Sequence, residues 1–359
     1  MKVLFWTGYA KTKWDKSTWE DNGIGGSEYC VIKLADYLDT KGYKVTITGD
    51  VKDRNWYGVN YVHHTKLTRG EHYDIVIAIN YINYFKHLEE LNITFNKNIF
   101  WMHNEDFFKW YRGGEIKDIE GEINKIDKIV GVSKLHANIL KLKFKTFDYT
   151  PHKNDTYIQS IDNAIDLNDY SDVPVYASTN PIIDKIKNRI IWTSSPDRGL
   201  KMILDNWVEW KTLIPDLTLE ICCPPYAVGW FNEDISKLDG VNWQGSRSPS
   251  DLKVEIAKSE YWIYVSDYIE TYCISALEMM MGKVKIITNG TGNIKNLIDN
   301  GDRGVICDMN PDTIIETIMN TSDDMWEIKT NNAYKWAIEQ SWENRVNEWI
   351  QLINKFYEQ

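Results

Sequence analysis

Two successive series of strand and helix patterns constrain this chain more than any other feature. In the first series, short apolar segments rich in β-branched and aromatic residues alternate with helical patterns such as residues 27–42 and 134–144. Apolar runs of this kind are typical of strands buried on both faces of a parallel sheet. The alternation predicts a doubly wound α/β domain. Its predicted strands are residues 2–8, 43–49, 59–64, 74–80, 98–104 and 128–133.

The alternation stops at residues 166–189, which carry two prolines and many small polar residues, and then begins again. Such a segment is typical of a linker. A chain of 359 residues also exceeds the size at which a single core usually stops growing. We therefore expect a second doubly wound domain. Its predicted strands are residues 189–195, 217–223, 241–245, 261–266, 284–289 and 304–308.

The last segment, residues 341–359, has the pattern of an amphipathic helix. Its apolar face would hold Val346, Trp349, Ile350, Ile353 and Phe356 or Tyr357. A face of this kind should pack against other apolar surface. The expected organisation is an N-terminal domain (1–170), a linker (171–188), a C-terminal domain (189–340) and a final helix packed on the N-terminal domain (341–359).

Charge and composition exclude several classes of function. The net charge of -11 comes from scattered acidic residues and disfavours binding of nucleic acid through the overall field. The first apolar run is too short for a signal peptide or a membrane span. Five cysteines without a C-x-x-C pair indicate neither a disulfide framework nor a zinc site, so thiols in the cytoplasm are expected. A strict D-x-D pattern is absent, and no metal is predicted.

The stretch 266–283 offers the most informative chemistry. It predicts a strand, an exit loop and a helix that begins at Thr271 and ends at Gly282, with Glu270 just before the helix and Glu278 two turns inside it. Backbone amides near Tyr272, Cys273 and Ile274 would be free to bind phosphate. Glu278 could accept hydrogen bonds from vicinal hydroxyl groups. The alternative is one glutamate that favours the helix dipole and one on the surface.

A second strand exit carries cations, because Arg198 and Lys201 follow a predicted strand in the first turn of a helix. Cations there oppose the helix dipole unless an anion lies nearby. A diphosphate would explain them, whereas a solvated turn with an ion pair between Arg198 and Asp197 is the simpler alternative.

In the first half, Gly25 and Gly26 precede a helix and would let backbone amides approach an anion. Glu28 stands where a dinucleotide fingerprint needs its third glycine, which weakens an NAD-binding interpretation. His103 ends a predicted strand, although a single histidine is more often structural than catalytic.

Together these residues resemble the retaining glycosyltransferases of the GT-B fold, family 4, over most of the chain. Glu270 to Glu278 match the E-x7-E motif of that family. Supporting matches are residues 24–28, His103, residues 132–140, 161–166 and 194–200. There is also some likeness to glycosyltransferases encoded by large DNA viruses. The resemblance implies two Rossmann-like domains that face a central cleft, with the final helix crossing back to the first.

The resemblance also implies roles for single residues. Glu270 would contact hydroxyls of the donor sugar, and Glu278 those of the ribose. The amides of Thr271 to Ile274 would bind the phosphates, while Gly25 and Gly26 would close over the diphosphate. His103 would lie near the transferred sugar. Arg198 would neutralise the leaving diphosphate during a front-face substitution that retains configuration and needs no protein nucleophile.

Some positions depart from the family pattern. Thr193 or Ser194 stands where the family has a second cation, so Lys201 becomes a candidate for that charge. Ala164 replaces a glycine, and Asn296 replaces a later glutamate. These departures concern donor binding rather than the fold.

The expected function is transfer of a hexose from a UDP- or GDP-sugar to a glycan hydroxyl, with no further cofactor, no nucleic-acid partner and no membrane span. Sugar-nucleotide epimerases and phosphorylases share the architecture and remain alternatives. A carbohydrate-binding protein without catalysis is another, since 16 tryptophans and 21 tyrosines could stack on sugars. Residues 9–22 and 105–112 are the hypothetical acceptor surface. Lys141, Lys143 and Lys145 could instead mark contact with a membrane surface, although three lysines on a helix are more often simply solvated.

Overall fold

The structure is a computed structural model. It describes residues 1–105, 119–145, 157–171, 173, 176, 184–224 and 229–357. The chain divides into two compact units. The first contains Met1–Trp19, Ile24–Ala164 and Trp342–Gln359, and the second contains Glu20–Gly23 and Ile165–Ser341.

The first unit is built on an eight-stranded sheet in the order β3-β4-β2-β1-β5-β6-β7-β8. All pairs are parallel except β3 with β4 at one edge. The strands are β1 Lys2–Trp6, β2 Lys44–Gly49, β3 Arg54–Trp56, β4 Val59–His63, β5 His72–Ile79, β6 Thr94–Met102, β7 Lys128–Gly131 and β8 Ile158–Ser160. The helices of this part of the chain are α1 Lys16–Asn22, α2 Gly26–Thr40, α3 Tyr84–Glu90, α4 Ile119–Asn124 and α5 Lys134–Lys145.

The second unit has a six-stranded parallel sheet in the order β11-β10-β9-β12-β13-β14. Its strands are β9 Ile186–Trp192, β10 Thr218–Ile221, β11 Val241–Trp243, β12 Ser259–Tyr264, β13 Lys285–Thr288 and β14 Val305–Ile306. Its helices are α6 Asn168–Ser171, α7 Leu200–Asp205, α8 Trp207–Leu213, α9 Pro249–Lys258, α10 Ile274–Met281, α11 Ile294–Leu297, α12 Pro311–Asn320 and α13 Asp323–Ala337.

The sequence pattern explains the central strands. Val3 to Trp6 of β1 are fully buried, as expected for a strand covered on both faces. All twelve predicted strands are confirmed within a few residues at their ends. The short strands β3 and β8 were not predicted, because three residues carry too little periodicity to be recognised.

The last helix, α14 (Trp342–Lys355), is grouped with the first unit and packs against α2. The ring of Trp349 lies 4.7 Å from that of Trp101 in β6, centroid to centroid. Val346 and Ile353 are buried as predicted, whereas Leu352 is buried and Ile350 only half-buried. The described helices are all too short or too polar to span a bilayer.

Candidate functional site

The predicted site residues fall in both units and are described unit by unit. In the second unit, β9 and β12 are parallel neighbours, so their exits leave the same sheet edge. The two exits touch at Gly199, which has a φ of +117°. A Cβ atom there would lie 2.1 Å from the carbonyl oxygen of Val265, so a side chain cannot be accommodated. Glycine therefore allows the turn that carries Arg198 to pack against the exit of β12.

Arg198 ends a 3-10 turn, Pro196–Arg198, and precedes α7 rather than lying in its first turn as predicted. Its guanidinium carbon lies 3.0 Å from the ring centroid of Tyr268, and its Nε atom is 3.9 Å from Asp197 Oδ1. Among the described residues, the buried Nη1 atom has no hydrogen-bond partner. A buried donor without a partner is costly, and an anionic ligand would satisfy it.

Glu270 lies at the other exit and is half-buried. The hydroxyl of Tyr264, the last residue of β12, donates a hydrogen bond to Glu270 Oε1. Burial raises the pKa of Glu270, while the bond from Tyr264 and the charge of Arg198 oppose that rise. Because a carboxylate accepts several hydrogen bonds, the anchored Glu270 retains capacity for ligand hydroxyls.

The loop after β13 fixes the backbone around Glu270. The amide of Asn293 donates to the carbonyl of Glu270 at 2.8 Å, and Asn293 Nδ2 lies 3.4 Å from the carbonyl of Tyr272. Gly292 has a φ of +73°, and a Cβ atom there would lie 2.4 Å from the nitrogen of Glu270. Gly292 and Asn293 are therefore positioning residues for the Glu270 loop.

Helix α10 begins at Ile274, three residues later than predicted. Cys273 precedes it as the N-cap in a left-handed conformation, with a φ of 81° and no capping bond from its side chain. Of the four predicted phosphate-binding amides, only that of Ile274 belongs to the helix. Those of Thr271, Tyr272 and Cys273 belong to the loop before it.

Glu278, the fifth residue of α10, is half-buried. Burial raises the pKa of its carboxyl group, the ammonium of Lys253 in α9 lowers it, and Asp169 in α6 raises it. The electrostatic neighbours of Glu278 thus differ from those of Glu270, which are Tyr264 and Arg198. The two glutamates of the motif have separate environments.

Lys201 and Ser194 of the second unit were also predicted to bind the donor. Lys201 is largely exposed, and its Nζ atom lies 2.6 Å from Asp205 Oδ1. The carbonyl of Ser194 accepts a hydrogen bond from Trp192 Nε1 at 2.7 Å. The neighbouring Thr193 has a buried hydroxyl without a partner among the described residues. Thr193 Oγ1 is therefore a polar atom with unused hydrogen-bonding capacity at the β9 exit.

In the first unit, His103 follows β6 directly and is buried. Its backbone amide donates to Asn80 Oδ1 at 2.7 Å. Burial and the nearby His136 lower the pKa of His103 to about 3, so its imidazole is neutral at physiological pH. The amide of Val132 donates to His136 Nδ1 at 3.2 Å, and His136 Nε2 therefore carries the proton that is donated to the Asn104 carbonyl at 3.0 Å.

Gly25 is the N-cap of α2, and Gly26 is its first residue. A Cβ atom on Gly25 would lie 2.4 Å from Glu28 Oε2, so glycine makes room for this carboxylate near the start of the helix. Burial raises the pKa of Glu28. In this conformation Glu28 therefore lies near Gly25 and Gly26, whose amides were predicted to close over a diphosphate.

Sequence reasoning missed two groups of residues. Tyr264 and Asn293 were not singled out, because only the folded loops bring them to Glu270. In the first unit, the ends of β2 and β4 bring together Asp50, His63 and His64, whose potential metal-ligating atoms lie within 4.8 Å of one another. The adjacent histidines at the end of a predicted strand were the available signal. Most of the predicted acceptor segment 105–112 lies outside the described residues.

Part of the second unit is similar to a known protein family. Residues 198–338 match the family model described as glycosyl transferases group 1. The matched range lies within the second unit. Arg198, Glu270 and Glu278 all lie within the matched range. No curated protein sequence matches the chain significantly.

Solved structures match over the whole chain. Sucrose-phosphate synthase from Thermosynechococcus elongatus is 12% identical, with a TM-score of 0.72 and coverage of 100% of this chain and 99% of that one. Anabaena HepE in complex with UDP-glucose is 13% identical, with a TM-score of 0.68 and coverage of 99% and 100%. WaaG, a glycosyltransferase involved in lipopolysaccharide biosynthesis, is 10% identical, with a TM-score of 0.64 and coverage of 98% and 99%. The fold is that of the GT-B glycosyltransferases, as predicted.

Proposed function

We propose that this protein is a retaining glycosyltransferase of family 4, which transfers a hexose from a UDP- or GDP-sugar to a hydroxyl group of a glycan. The second unit would bind the donor. The matched group 1 domain supports a transferase, and two solved structures of similar fold contain UDP-glucose or UDP with glucose. Donor, acceptor and stereochemistry are parts of the proposal.

The observation that carries the proposal is the pairing of a cation and a carboxylate at neighbouring strand exits. Arg198 presents a buried Nη1 atom that has no hydrogen-bond partner in the described part of the chain, and Glu270 is anchored by Tyr264. A nucleotide sugar offers a diphosphate for the cation and sugar hydroxyls for the carboxylate. As the glycosidic bond breaks, negative charge grows on the diphosphate, and Arg198 would stabilise it most at that stage.

The other predicted residues take supporting roles in the proposal. Glu278 would accept hydrogen bonds from the ribose, and the amide of Ile274 would donate to a phosphate oxygen. His103 would act as a neutral imidazole beside the transferred sugar, because its lowered pKa excludes the charged form at physiological pH. No protein nucleophile is required, since the leaving phosphate itself would help to deprotonate the acceptor.

The experiment is release of nucleotide from a panel of UDP-, GDP-, ADP- and dTDP-sugars without acceptor, with and without EDTA. Slow hydrolysis of one or two donors that EDTA does not abolish is expected. NMR should show that the first sugar released has the anomeric configuration of the donor. The Glu270→Gln variant is the catalytic test, and Glu316→Gln, which changes an exposed glutamate of α12, is the matched control.

Three results would contradict the proposal in different ways. Release of no nucleotide, together with no binding of free nucleotides, would exclude a donor site and leave only the fold. Binding without turnover by any donor would favour a carbohydrate-binding protein instead. Inverted configuration in the first product would retain the transferase and overturn the retaining mechanism.

A further inference from the structure

A group of three potential metal ligands lies at one sheet edge of the first unit. Strands β2 and β4 are parallel neighbours, and Gly49 at the end of β2 pairs with His63 at the end of β4. The residues that follow, Asp50 and His64, therefore leave the same edge side by side. The register brings together residues 50 and 64, which are distant in sequence.

The distances in this group suit a shared ion better than hydrogen bonds. Asp50 Oδ1 lies 3.4 Å from His63 Nε2 and 3.4 Å from His64 Nε2. An N–H to oxygen hydrogen bond normally spans about 2.7–3.2 Å. Ligand atoms about 2.1 Å from a tetrahedral Zn²⁺ are instead about 3.4 Å from one another. We propose that Asp50, His63 and His64 form a binding site for a divalent transition-metal ion, with Zn²⁺ as the expected occupant.

Contacts behind the group hold two of the three side chains in place. Asp50 Oδ2 accepts a hydrogen bond from the amide of Ala10 at 2.9 Å, which leaves Oδ1 on the side of the histidines. His63 Nδ1 lies 2.9 Å from Thr65 Oγ1 and accepts a hydrogen bond from the amide of Thr65 at 3.4 Å, which holds the ring with Nε2 toward Asp50. The amide of His63 donates to Asp53 Oδ1 at 2.8 Å. Outer contacts of this kind orient the ligands of metal sites.

The third side chain is held by aromatic packing. The ring of His64 lies 5.6 Å from that of Tyr9 and 5.3 Å from that of His87, both in edge-to-face arrangements. These ring contacts hold the His64 imidazole beside Asp50.

Chemistry and access both fit a zinc ion. Two imidazoles and one carboxylate are a ligand set for which Zn²⁺ is well suited. The side chains of His63, His64 and Asp50 are 12%, 17% and 21% exposed, so an ion can enter from solvent. Three protein ligands leave a fourth position for water or for an oxygen atom of a ligand.

Such an ion would also fix part of the hypothetical acceptor surface. The amide of Trp14 donates to the carbonyl of Asp50 at 3.2 Å, and the amide of Lys52 donates to the carbonyl of Trp14 at 2.9 Å. The segment before α1 is thereby joined to the residues that follow β2. The metal site does not depend on the proposed function, and its failure would leave sugar transfer untouched.

The test uses the full chain without a histidine tag, stripped of metal by a chelator and dialysed. Zn²⁺ is titrated in competition with a chromogenic chelator, and Co²⁺ binding is followed by its visible absorption, which is intense in tetrahedral sites. Asp50→Asn and His64→Gln remove ligands. His72→Gln is the control, because His72 is an exposed histidine of β5 that lies 2.8 Å from Thr94.

We expect one equivalent of Zn²⁺ in the wild type and in the control, and affinity at least about 100-fold lower in both ligand variants. Zn²⁺ should also raise the melting temperature of the wild type but not that of the variants. Circular dichroism of the metal-free proteins checks that each variant is folded; if one is not, the double variant His63→Gln/His64→Gln replaces it. Equal affinity in wild type and folded variants, or no stoichiometric binding by the wild type, would overturn the proposal.

Discussion

In each unit, the ends of two neighbouring parallel strands bring functional side chains together, but the side chains differ between the two units. In the second unit, the exits of β9 and β12 bring together the cation of Arg198 and the carboxylate of Glu270. Within the residues that the structure describes, Arg198 Nη1 has no hydrogen-bond partner, and Glu270 is anchored by Tyr264. In the first unit, the exits of β2 and β4 bring together two imidazoles and a carboxylate. Parallel register supplies both groupings, and residue chemistry then decides which ligand each edge suits. The first grouping suits an anion with hydroxyl groups, and the second suits a metal cation.

The largest expected effect comes from removing the cation of the second unit. Arg198→Gln should lower kcat/KM for the donor by about 100-fold or more, because it removes the buried Nη1 donor and the positive charge that would stabilise the leaving diphosphate. Lys201→Gln should change it by less than about 3-fold, since the Lys201 ammonium is exposed and paired with Asp205. Steady-state kinetics with the identified donor measures both. An equal loss in the two variants would instead assign the second phosphate-binding cation to Lys201.

A smaller effect is expected from the loop behind Glu270. Gly292→Ala should displace the Glu270 backbone and lower kcat/KM about 10-fold, because the new Cβ atom would lie 2.4 Å from the nitrogen of Glu270. Gly290→Ala is the matched control: its φ of +70° imposes similar backbone strain, but its nearest neighbour is 3.5 Å away. Kinetics and melting temperatures should be measured together. Equal activity in the two variants would show that the close approach to Glu270 has no role.

The smallest expected effect concerns stability and Glu278. Because burial raises the pKa of Glu278, the folded state holds its proton more tightly than the unfolded state does. The stability gained in this way is present at low pH and is lost as pH rises through the raised pKa. Glu278→Gln should therefore melt at a higher temperature than wild type at pH 7, and the difference should close below about pH 4.5, the ordinary value.

The same variant should bind the donor more weakly if Glu278 contacts the ribose. Thermal melts from pH 4 to pH 8 and donor KM values check both parts. Glu316→Gln, at an exposed position of α12, is the control. A lower melting temperature for Glu278→Gln at pH 7, with donor KM unchanged, would mean that Glu278 serves the packing of α10 rather than the ligand.

The sequence alone predicted the strands well, because parallel strands that are buried on both faces consist of continuous apolar runs. It also predicted which residues follow those strands, including His103, Arg198 and Glu270. It could not predict that Cys273 adopts a left-handed conformation, which delays the start of α10 until Ile274. That conformation depends on the packing of the surrounding loop rather than on local propensity.

Contacts between loops could not be predicted from the sequence pattern either. Asn293 bonds to the carbonyl of Glu270 across 23 positions, and nothing local to either residue indicates it. The association of Asp50 with His63 and His64 requires the register of β2 against β4, which apolar periodicity does not specify. Residue types at strand exits were therefore predictable, whereas their partners were not.

Calorimetric titration tests both ligand sites most directly. The nucleoside diphosphate of the donor and Zn²⁺ are each titrated into the wild type, Arg198→Gln and Asp50→Asn. Arg198→Gln should bind the nucleotide about 100-fold more weakly and keep its affinity for Zn²⁺. Asp50→Asn should lose Zn²⁺ and keep the nucleotide. Unchanged nucleotide affinity in folded Arg198→Gln would contradict the central claim that the exits of β9 and β12 form the donor site.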